Sequence, residues 1–451
     1  MKKILTIASC VLAFASCKKF ENIGPPKNQL ESTKVFADSL NANSAIVGIY
    51  VDMMKSFGFT FSSGGLTAYP AMTADELSQT SADADLTQLY ANNIAIQNKY
   101  DLNLWTSAYK YLYDANSCIE GVNASTGISA AAKGQLSGEA RQIRAFLLFN
   151  LVNLYGPVPL VLTTNYHVNQ TLPRTSVDSV YAQIINDLAY AKSNLSKGSG
   201  AEIAGYYSAV ALLAKVQLYR KNYNDAEVAA TEVINSGNYH LESNLNDVFL
   251  AGSSETIWKM VPVVPGFETW EAYNFVPSRS TVAPKYVISN ALYNSFEPAD
   301  TRKQKWIGLN TVSGVSYPYP YKYKTARSSG VATENYTILR LAELYLIRAE
   351  ARANLNDLPG AVSDINLIRN RAGLTNTTAT DKTSILLAIE SERRCELFCE
   401  WGNRWFDLLR TNRADAVLPS VKPGWDKNDR FFPIPAVEIK SNPALTQNPG
   451  Y

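Results

Sequence analysis

Two stretches of this chain carry the same spacing, and that repetition limits the fold more than any other feature. In LLAKVQLYRKNYNDAEVAATEVI, Ala214, Tyr223 and Ala226 stand at the separations that Ala349, Leu358 and Ala361 keep in LIRAEARANLNDLPGAVSDINLI. Small residues near the centre of one helix and the start of the next let two antiparallel helices approach closely, while a larger side chain fills the turn between them. That is the logic of a tetratricopeptide unit, which buries its apolar face only by stacking on its neighbours.

Apolar residues recur at helical spacing in further segments: Ala45 to Met54, Leu104 to Val122, Lys133 to Tyr155, Ser176 to Leu195, Tyr206 to Lys221 and Asn224 to Ser236. Helices are predicted to resume at Tyr336 to Ala353, Leu358 to Ala372 and Thr383 to Arg410, with Gly237 and Gly373 as C-terminal stops. Between Gly237 and Asn335 the text turns rich in proline, glycine and tyrosine, as in VPVVPGFETWEAYNFVPSRST and SGVSYPYPYKYKT, and Phe57 to Tyr100 is similarly irregular. Long irregular stretches in a compact protein tend to be functional or disordered, and an aromatic-rich composition argues against disorder. The expected fold class is mainly α, a tetratricopeptide-like scaffold of helical pairs beside a large loop-rich region with little β structure.

The first residues read as a targeting segment. Lys2 and Lys3 precede an apolar run, Ile4 to Ala15, too short for a bilayer core but suited to a secretory signal. It closes on Phe14-Ala15-Ser16-Cys17, small residues leading into a cysteine, as in bacterial lipoprotein signals, where the thiol accepts the lipid. An aliphatic residue is usual where Phe14 stands. Ile7-Ala8-Ser9-Cys10 fits locally as well, but cutting there leaves too short an apolar segment. The expectation is therefore a signal over residues 1–16 and lipidation at Cys17, followed by a polar tether, Lys18 to Lys27. No later segment is long and apolar enough to cross a membrane, so the anchor would be lipid alone, held by more than one acyl chain.

Charge is nearly balanced, 42 basic against 40 acidic residues, which gives no sign of a nucleic-acid partner. Beyond the signal, Cys118, Cys395 and Cys399 form no zinc spacing and read as buried small hydrophobes. A catalytic triad would have to use His167 or His240, the two histidines of the chain. There is no G-x-S-x-G elbow, H-E-x-x-H, Walker loop or dinucleotide fingerprint, and the sequence calls for neither cofactor nor metal. Asp83 and Asp85 alternate as calcium ligands do, but the glycine of that loop is missing. Glu392, Glu396 and Glu400 fall on successive helical turns beside Arg393, Arg394 and Arg404. Positive neighbours keep carboxylates ionised, which opposes a general-acid role and favours ion pairing. Asp75-Glu76, in the first irregular stretch, fits either ligand contact or plain solvation.

Aromatics are the remaining chemistry. A sugar ring presents C–H groups that stack on tryptophan or tyrosine, with hydroxyls left for polar neighbours. Tyr69, Trp258, Trp270, Tyr273 and Trp306 lie in the irregular stretches and are the candidate platforms, whereas Trp105, in register with Tyr109 and Leu112, reads as core.

GEARQIRAFLLFNLVNLYGPVPLV (Gly138 to Val161), ILRLAELYLIRAEARA (Ile338 to Ala353), ESERRCELFCEWGNRWFDLLR (Glu390 to Arg410) and the terminal Gln447-Asn448-Pro449-Gly450-Tyr451 resemble, in family order, the hallmarks of the SusD/RagB family of outer-membrane nutrient-binding lipoproteins. The resemblance implies one domain over residues 17–451, with an N-terminal part at 22–220 and a C-terminal part at 260–451. It also implies a location on the outer face of the outer membrane and a SusC-like TonB-dependent transporter as partner. The ligand would be an oligosaccharide or, in some relatives, a peptide, bound without catalysis. It makes Arg144, Glu350 and Arg404 fold determinants, and its ligand residues lie on variable loops, so none transfers by motif. The surface-export signal of the group, a lysine and paired acids, is here Lys18-Lys19-Phe20 before a lone Glu21. Two competing readings are a carboxylate-based glycoside hydrolase and a protein-binding scaffold that holds no small ligand.

Overall fold

A computed structural model describes residues 32–56 and 59–451; Cys17 and the tether fall outside the described residues. The frame consists of α1 (Ser39–Met54), α2 (Lys99–Ala124), α3 (Ala130–Tyr155), α4 (Val177–Asn194), α5 (Tyr206–Tyr219), α6 (Tyr223–Ile234), α7 (Leu341–Asn354), α8 (Leu358–Arg371), α9 (Lys382–Leu397) and α10 (Asn403–Arg410). From α2 to α8 each helix packs on the next in chain order, and α1 lies against α2 and α3. The protein is mainly α, and its stacked antiparallel pairs are the tetratricopeptide-like scaffold expected from the spacing.

The repeat positions do what their sizes require. Ala214, Ala226, Ala349 and Ala361 are fully buried where α5 meets α6 and α7 meets α8, and Tyr223 and Leu358 sit half-buried in the two turns. Several helices start earlier than the apolar periodicity indicates. Ser39, Leu40 and Asn41 at the start of α1 are exposed, so Ala42 alone of its first turn joins the buried face. Asp38 instead accepts the Asn41 N–H at 2.8 Å, and Asn98 caps α2 in the same way, satisfying orphan donors at the helix N-terminus.

Two expected helices change form. Tyr336–Arg340 is a strand, because a short continuous apolar run reads alike as buried strand or buried helix. The stretch from Thr383 to Arg410 breaks into α9 and α10, with Cys399, Trp401 and Gly402 at positive φ. Gly402 lies against the Leu66 carbonyl and the Pro70 ring, where a Cβ would come within 3.3 and 3.1 Å. The break turns Trp401 flat onto Tyr336, ring centroids 4.4 Å apart, and its indole donates to the Thr337 carbonyl at 2.7 Å.

The loop-rich region is the long connection between α6 and α7, which nonetheless pack directly on each other. It holds the strands β2 (Thr256–Met260), β3 (Tyr286–Ile288), β4 (Ile307–Val312), β5 (Val315–Pro320) and β6 (Tyr336–Arg340); β1 (Leu77–Gln79) comes from the earlier irregular stretch. They form three antiparallel two-stranded sheets, β1–β3, β2–β6 and β4–β5. The β4–β5 hairpin turns on Ser313-Gly314, both at positive φ, which matches the strand twist.

A buried ion network fastens this region to the frame. Glu396 bonds Arg340 at 2.6 Å, Arg302 at 3.0 Å and also Arg371. Glu400 takes Lys322 at 2.5 Å and Arg340 at 2.8 Å, while Glu255 bridges Arg340 and Arg371. Burial alone would raise the Glu396 carboxyl, but Arg371, Arg340 and Arg302 hold it well below the usual range. Burying ions is costly unless each is paired, and removing one partner strands the rest. Glu396→Gln is therefore expected to lower the unfolding free energy by about 3–5 kcal/mol. Urea denaturation with an unshifted midpoint would show that the network does not hold the two regions together.

Candidate functional site

The structure corrects the aromatic platforms. Tyr69, Trp258, Trp270 and Trp306 are at most 1% exposed and have no ring face left for a ligand. Trp258 meets Tyr50 and Phe146 edge-on at 6.4 and 5.5 Å, where the β2–β6 sheet sits on α1 and α3. The Trp270 indole donates to the Met54 carbonyl at 2.7 Å, the Trp306 indole to the Leu245 carbonyl at 2.9 Å, and the Tyr69 hydroxyl to the Phe59 carbonyl at 3.1 Å. A region short of regular structure needs large rings to build a core of its own, and their polar tips pin its segments together. Tyr273 alone of the five is exposed, at 39%, edge-on to Phe267 at 5.3 Å with the Arg327 guanidinium above both rings. Trp105 is core, as its spacing indicates, and His167 and His240 are exposed and far apart in the chain.

The acidic stretch resolves into structural pairs. Asp75 is buried, with Arg404 on both oxygens at 2.8 and 3.0 Å and Arg394 at 2.7 Å. Arg393 holds Asp407, Arg144 holds Asp187, and Glu350 holds Arg410. Asp83 caps the helix Ala84–Ala91 and bonds Lys99 and Tyr100, so its carboxylate serves the fold. Cys118, Cys395 and Cys399 are buried, and burial raises all three thiols.

A cleft of about 310 Å³ opens among β1, β3, β5 and the Val421–Lys422 turn. Its base is set by the antiparallel pairing of Leu77 with Ile288. The Ser289 N–H donates to the Glu76 carbonyl at 2.8 Å, and the Ser289 hydroxyl to the Asp75 carbonyl at 2.5 Å. The Arg404–Asp75 pair thus anchors the backbone that shapes this wall. Ser78, Ser289, Asn290 and Ser316 contribute uncharged hydrogen-bonding groups, and Pro318 from the hairpin contributes an apolar edge. Tyr90, 38% exposed, lies over the Lys422 amine, 3.5 Å from the ring centroid. That amine donates to the carbonyls of Met72 and Tyr90 at 2.8 and 2.6 Å. Burial lowers its pKa to about 7, with Asp75 pulling the other way.

This lining can stack a ring and bond hydroxyls around a buried amine that two carbonyls and the Tyr90 ring already engage. The cleft's carboxylate, Asp75, is saturated by two arginines and is held below its ordinary range against the effect of burial. A general acid–base pair is not assembled there. Sequence reasoning missed Tyr90 and Lys422, since neither stands in a motif; the Tyr-Pro run of the hairpin and Asp75-Glu76 were the signals lying nearest to them.

Next to Asp75, burial foremost and then the Asp75 charge raise Glu76 to about 8; elsewhere in the core, burial raises Glu271, bonded by Thr67, to about 8. Unfolded, both carboxyls titrate near 4.5. Between those values the folded chain keeps protons that the unfolded chain has lost. The stability they contribute, full below about 4.5, thus falls as pH rises toward 8. Glu76→Gln with Glu271→Gln should flatten this decline in urea melts between pH 5 and 7; an unchanged slope would rule out the two groups as its source.

The SusD family model matches residues 221–451, and a second, described as starch-binding and associating with the outer membrane, matches residues 32–218. The chain is 23% identical to SusD-like protein P25 of Formosa agariphila over 99% of this chain and 98% of that one. Its fold superposes on a SusD superfamily protein of Bacteroides vulgatus with a TM-score of 0.82 at 20% identity, covering 92% of this chain and 99% of the other. On surface glycan-binding protein A of Bacteroides fluxus the TM-score is 0.76 at 23% identity, covering 91% and 99%.

Proposed function

The chain belongs to the SusD family, and on that premise we propose that it is a lipoprotein of the outer membrane, anchored through Cys17, that holds an oligosaccharide in the Tyr90–Lys422 cleft and delivers it to a SusC-like TonB-dependent transporter. One observation carries the reading. The cleft brings an exposed tyrosine together with hydroxyl and amide groups, and the carboxylate it contains is already consumed by arginines. Such a lining suits a ligand that has apolar ring faces and many hydroxyls and is to be released unaltered. A relative of the same fold is a surface glycan-binding protein, and the family description of the N-terminal half refers to starch and to the outer membrane. Among the described residues no helix is long and apolar enough to cross a membrane, which accords with a lipid anchor. We further propose residues 17–451 as a single unit facing the cell exterior and acting without catalysis.

The Lys422 amine favours one second reading, a peptide whose carboxylate it receives. The two differ in pH dependence. Carboxylate binding would weaken as pH rises through about 7, where the amine loses its charge, whereas binding of a neutral sugar would change little.

Calorimetric titration of the full chain with maltooligosaccharides, laminarin oligosaccharides, xylan oligosaccharides and acidic peptides tests the proposal. Tyr90→Ala is expected to weaken the bound saccharide about tenfold, equivalent to ~1.4 kcal/mol, with the saccharide recovered at its original length. Unaltered affinity in Tyr90→Ala would displace the ligand from this cleft. Shortened products would turn the case toward the hydrolase.

A further inference from the structure

A second groove lies away from this cleft and shares no lining residue with it. Trp105, Tyr109 and Tyr113 stand one turn apart along α2 and form one wall; the segment from Pro159 to Gln170 and the end of the helix Ala436–Ser441 form the others. The groove has a volume of about 370 Å³.

Its floor is rigid. Trp105 lies against Tyr109, ring centroids 4.8 Å apart, and the Tyr109 hydroxyl donates to the Pro159 carbonyl at 3.0 Å. Its rim is exposed. Tyr113 is 51% and Tyr166 65% accessible, and Tyr166 is steadied by His167 at 3.8 Å between ring centroids. Exposed tyrosines of this kind serve no core.

The polar lining sets the class of ligand. Gln170 brings an amide and Asn169 an Oδ1 that has no hydrogen-bond partner, while Asn442, Ser441 and Thr164 already bond Leu172, Val437 and Glu120; Glu438 is the one charged residue of the lining. The groove near α7, α9 and α10 contrasts with this. Arg410, Glu350, Arg413 and Glu390 line it, and they pair among themselves. Aromatic faces with side-chain amides and no cation match the C–H faces and vicinal hydroxyls of an uncharged sugar. A lone carboxylate disfavours uronic acids.

We propose that this groove is a second saccharide-binding site, taking a neutral oligosaccharide by stacking on Tyr113 and Tyr166 with hydroxyls bonded to the Gln170 amide and the Asn169 Oδ1. For the class of ligand it rests on the saccharide reading above, but not on the cleft. Two sites on one anchored protein hold a polymer more tightly than either does alone, because the second contact forms at high effective concentration.

Affinity electrophoresis of the full chain through gels containing soluble starch, laminarin, xylan or polygalacturonate tests it. Four proteins are compared: wild type, Tyr113→Ala/Tyr166→Ala, Tyr90→Ala and the triple variant. Both rim tyrosines are exposed, so the double variant should keep its thermal melt. It should lose at least threefold in apparent affinity for the neutral polysaccharide while binding a trisaccharide in the cleft as wild type does. Tyr90→Ala should keep residual retardation that the triple variant lacks. If Tyr90→Ala has no effect and the double variant abolishes retardation, the cleft reading fails and the groove stands. Wild-type retardation of the double variant on every neutral polysaccharide overturns the groove, as does preference for polygalacturonate. Retardation of the wild type by none of the four overturns both sites. Loss of copurification with a barrel, with retardation intact, would make the groove a protein-docking face and overturn it too.

Discussion

Glu396 sits where the helical frame and the long connection between α6 and α7 are fused. Its two carboxylate oxygens and its backbone carbonyl meet Arg302 and Lys322 from the connection, Arg340 at the end of β6 and Arg371 at the end of α8. With Arg369, 3.6 Å from Glu392, five cations here face five carboxylates, those of Glu255, Asp300, Glu392, Glu396 and Glu400. Glu396 stays ionised among three arginines, whereas Glu392, for which burial outweighs Arg302, is raised. A network of this kind adds little to stability over a well-packed apolar contact, but it tolerates few other arrangements of the segments that bring its members. It orders a connection of about a hundred residues that has few helices and short strands of its own.

The aromatic load of that connection follows from the same need. Trp258, Trp270 and Trp306 fill a core that short strands would leave open, and two of their indoles donate to carbonyls on distant segments. Trp401 repeats the pattern from the frame side, stacking on Tyr336 at the break between α9 and α10. Rings spent in this way are unavailable to a ligand. Among the described residues the exposed aromatics are Tyr90, Tyr113, Tyr166 and Tyr273, and the two proposed sites draw on the first three.

The frame was legible because helical spacing is a local code. The register of Ala214, Tyr223 and Ala226 with Ala349, Leu358 and Ala361 named both packed pairs, and the burial of all four alanines accords with it. The ion-pairing role of Glu396 and Glu400 was legible too, since interleaved arginines keep carboxylates ionised. Their partners were not: the bonds reach Arg371, 25 residues away, and Arg302, Lys322 and Arg340, 56 or more residues away. Type and location placed the tryptophans in the long connection, where Trp258 stands on β2 and Trp270 and Trp306 in short helices, but exposure depends on what other segments cover, and one sequence does not encode that locally. Tyr90 escaped notice because its exposure comes from the Val421–Lys422 turn, more than 300 residues away, which lies beneath its ring rather than over it.

These relations explain why the chain announces its family more clearly than its ligand. Arg404 and Arg394 reach from the frame to Asp75, and the Asp75 carbonyl in turn fixes Ser289 on the wall of the cleft. The arginines of the hallmark helices therefore shape the cleft at one remove, through backbone they hold rather than ligand they touch. Changing them would disturb the frame for any ligand. If the proposed cleft is the site, changing Tyr90, Asn290, Ser316 or Pro318 would alter the ligand and leave the frame intact, because these side chains line the open cleft. On this proposal the residues that hold the platform and those that meet the nutrient are different, and motif similarity reports only the first.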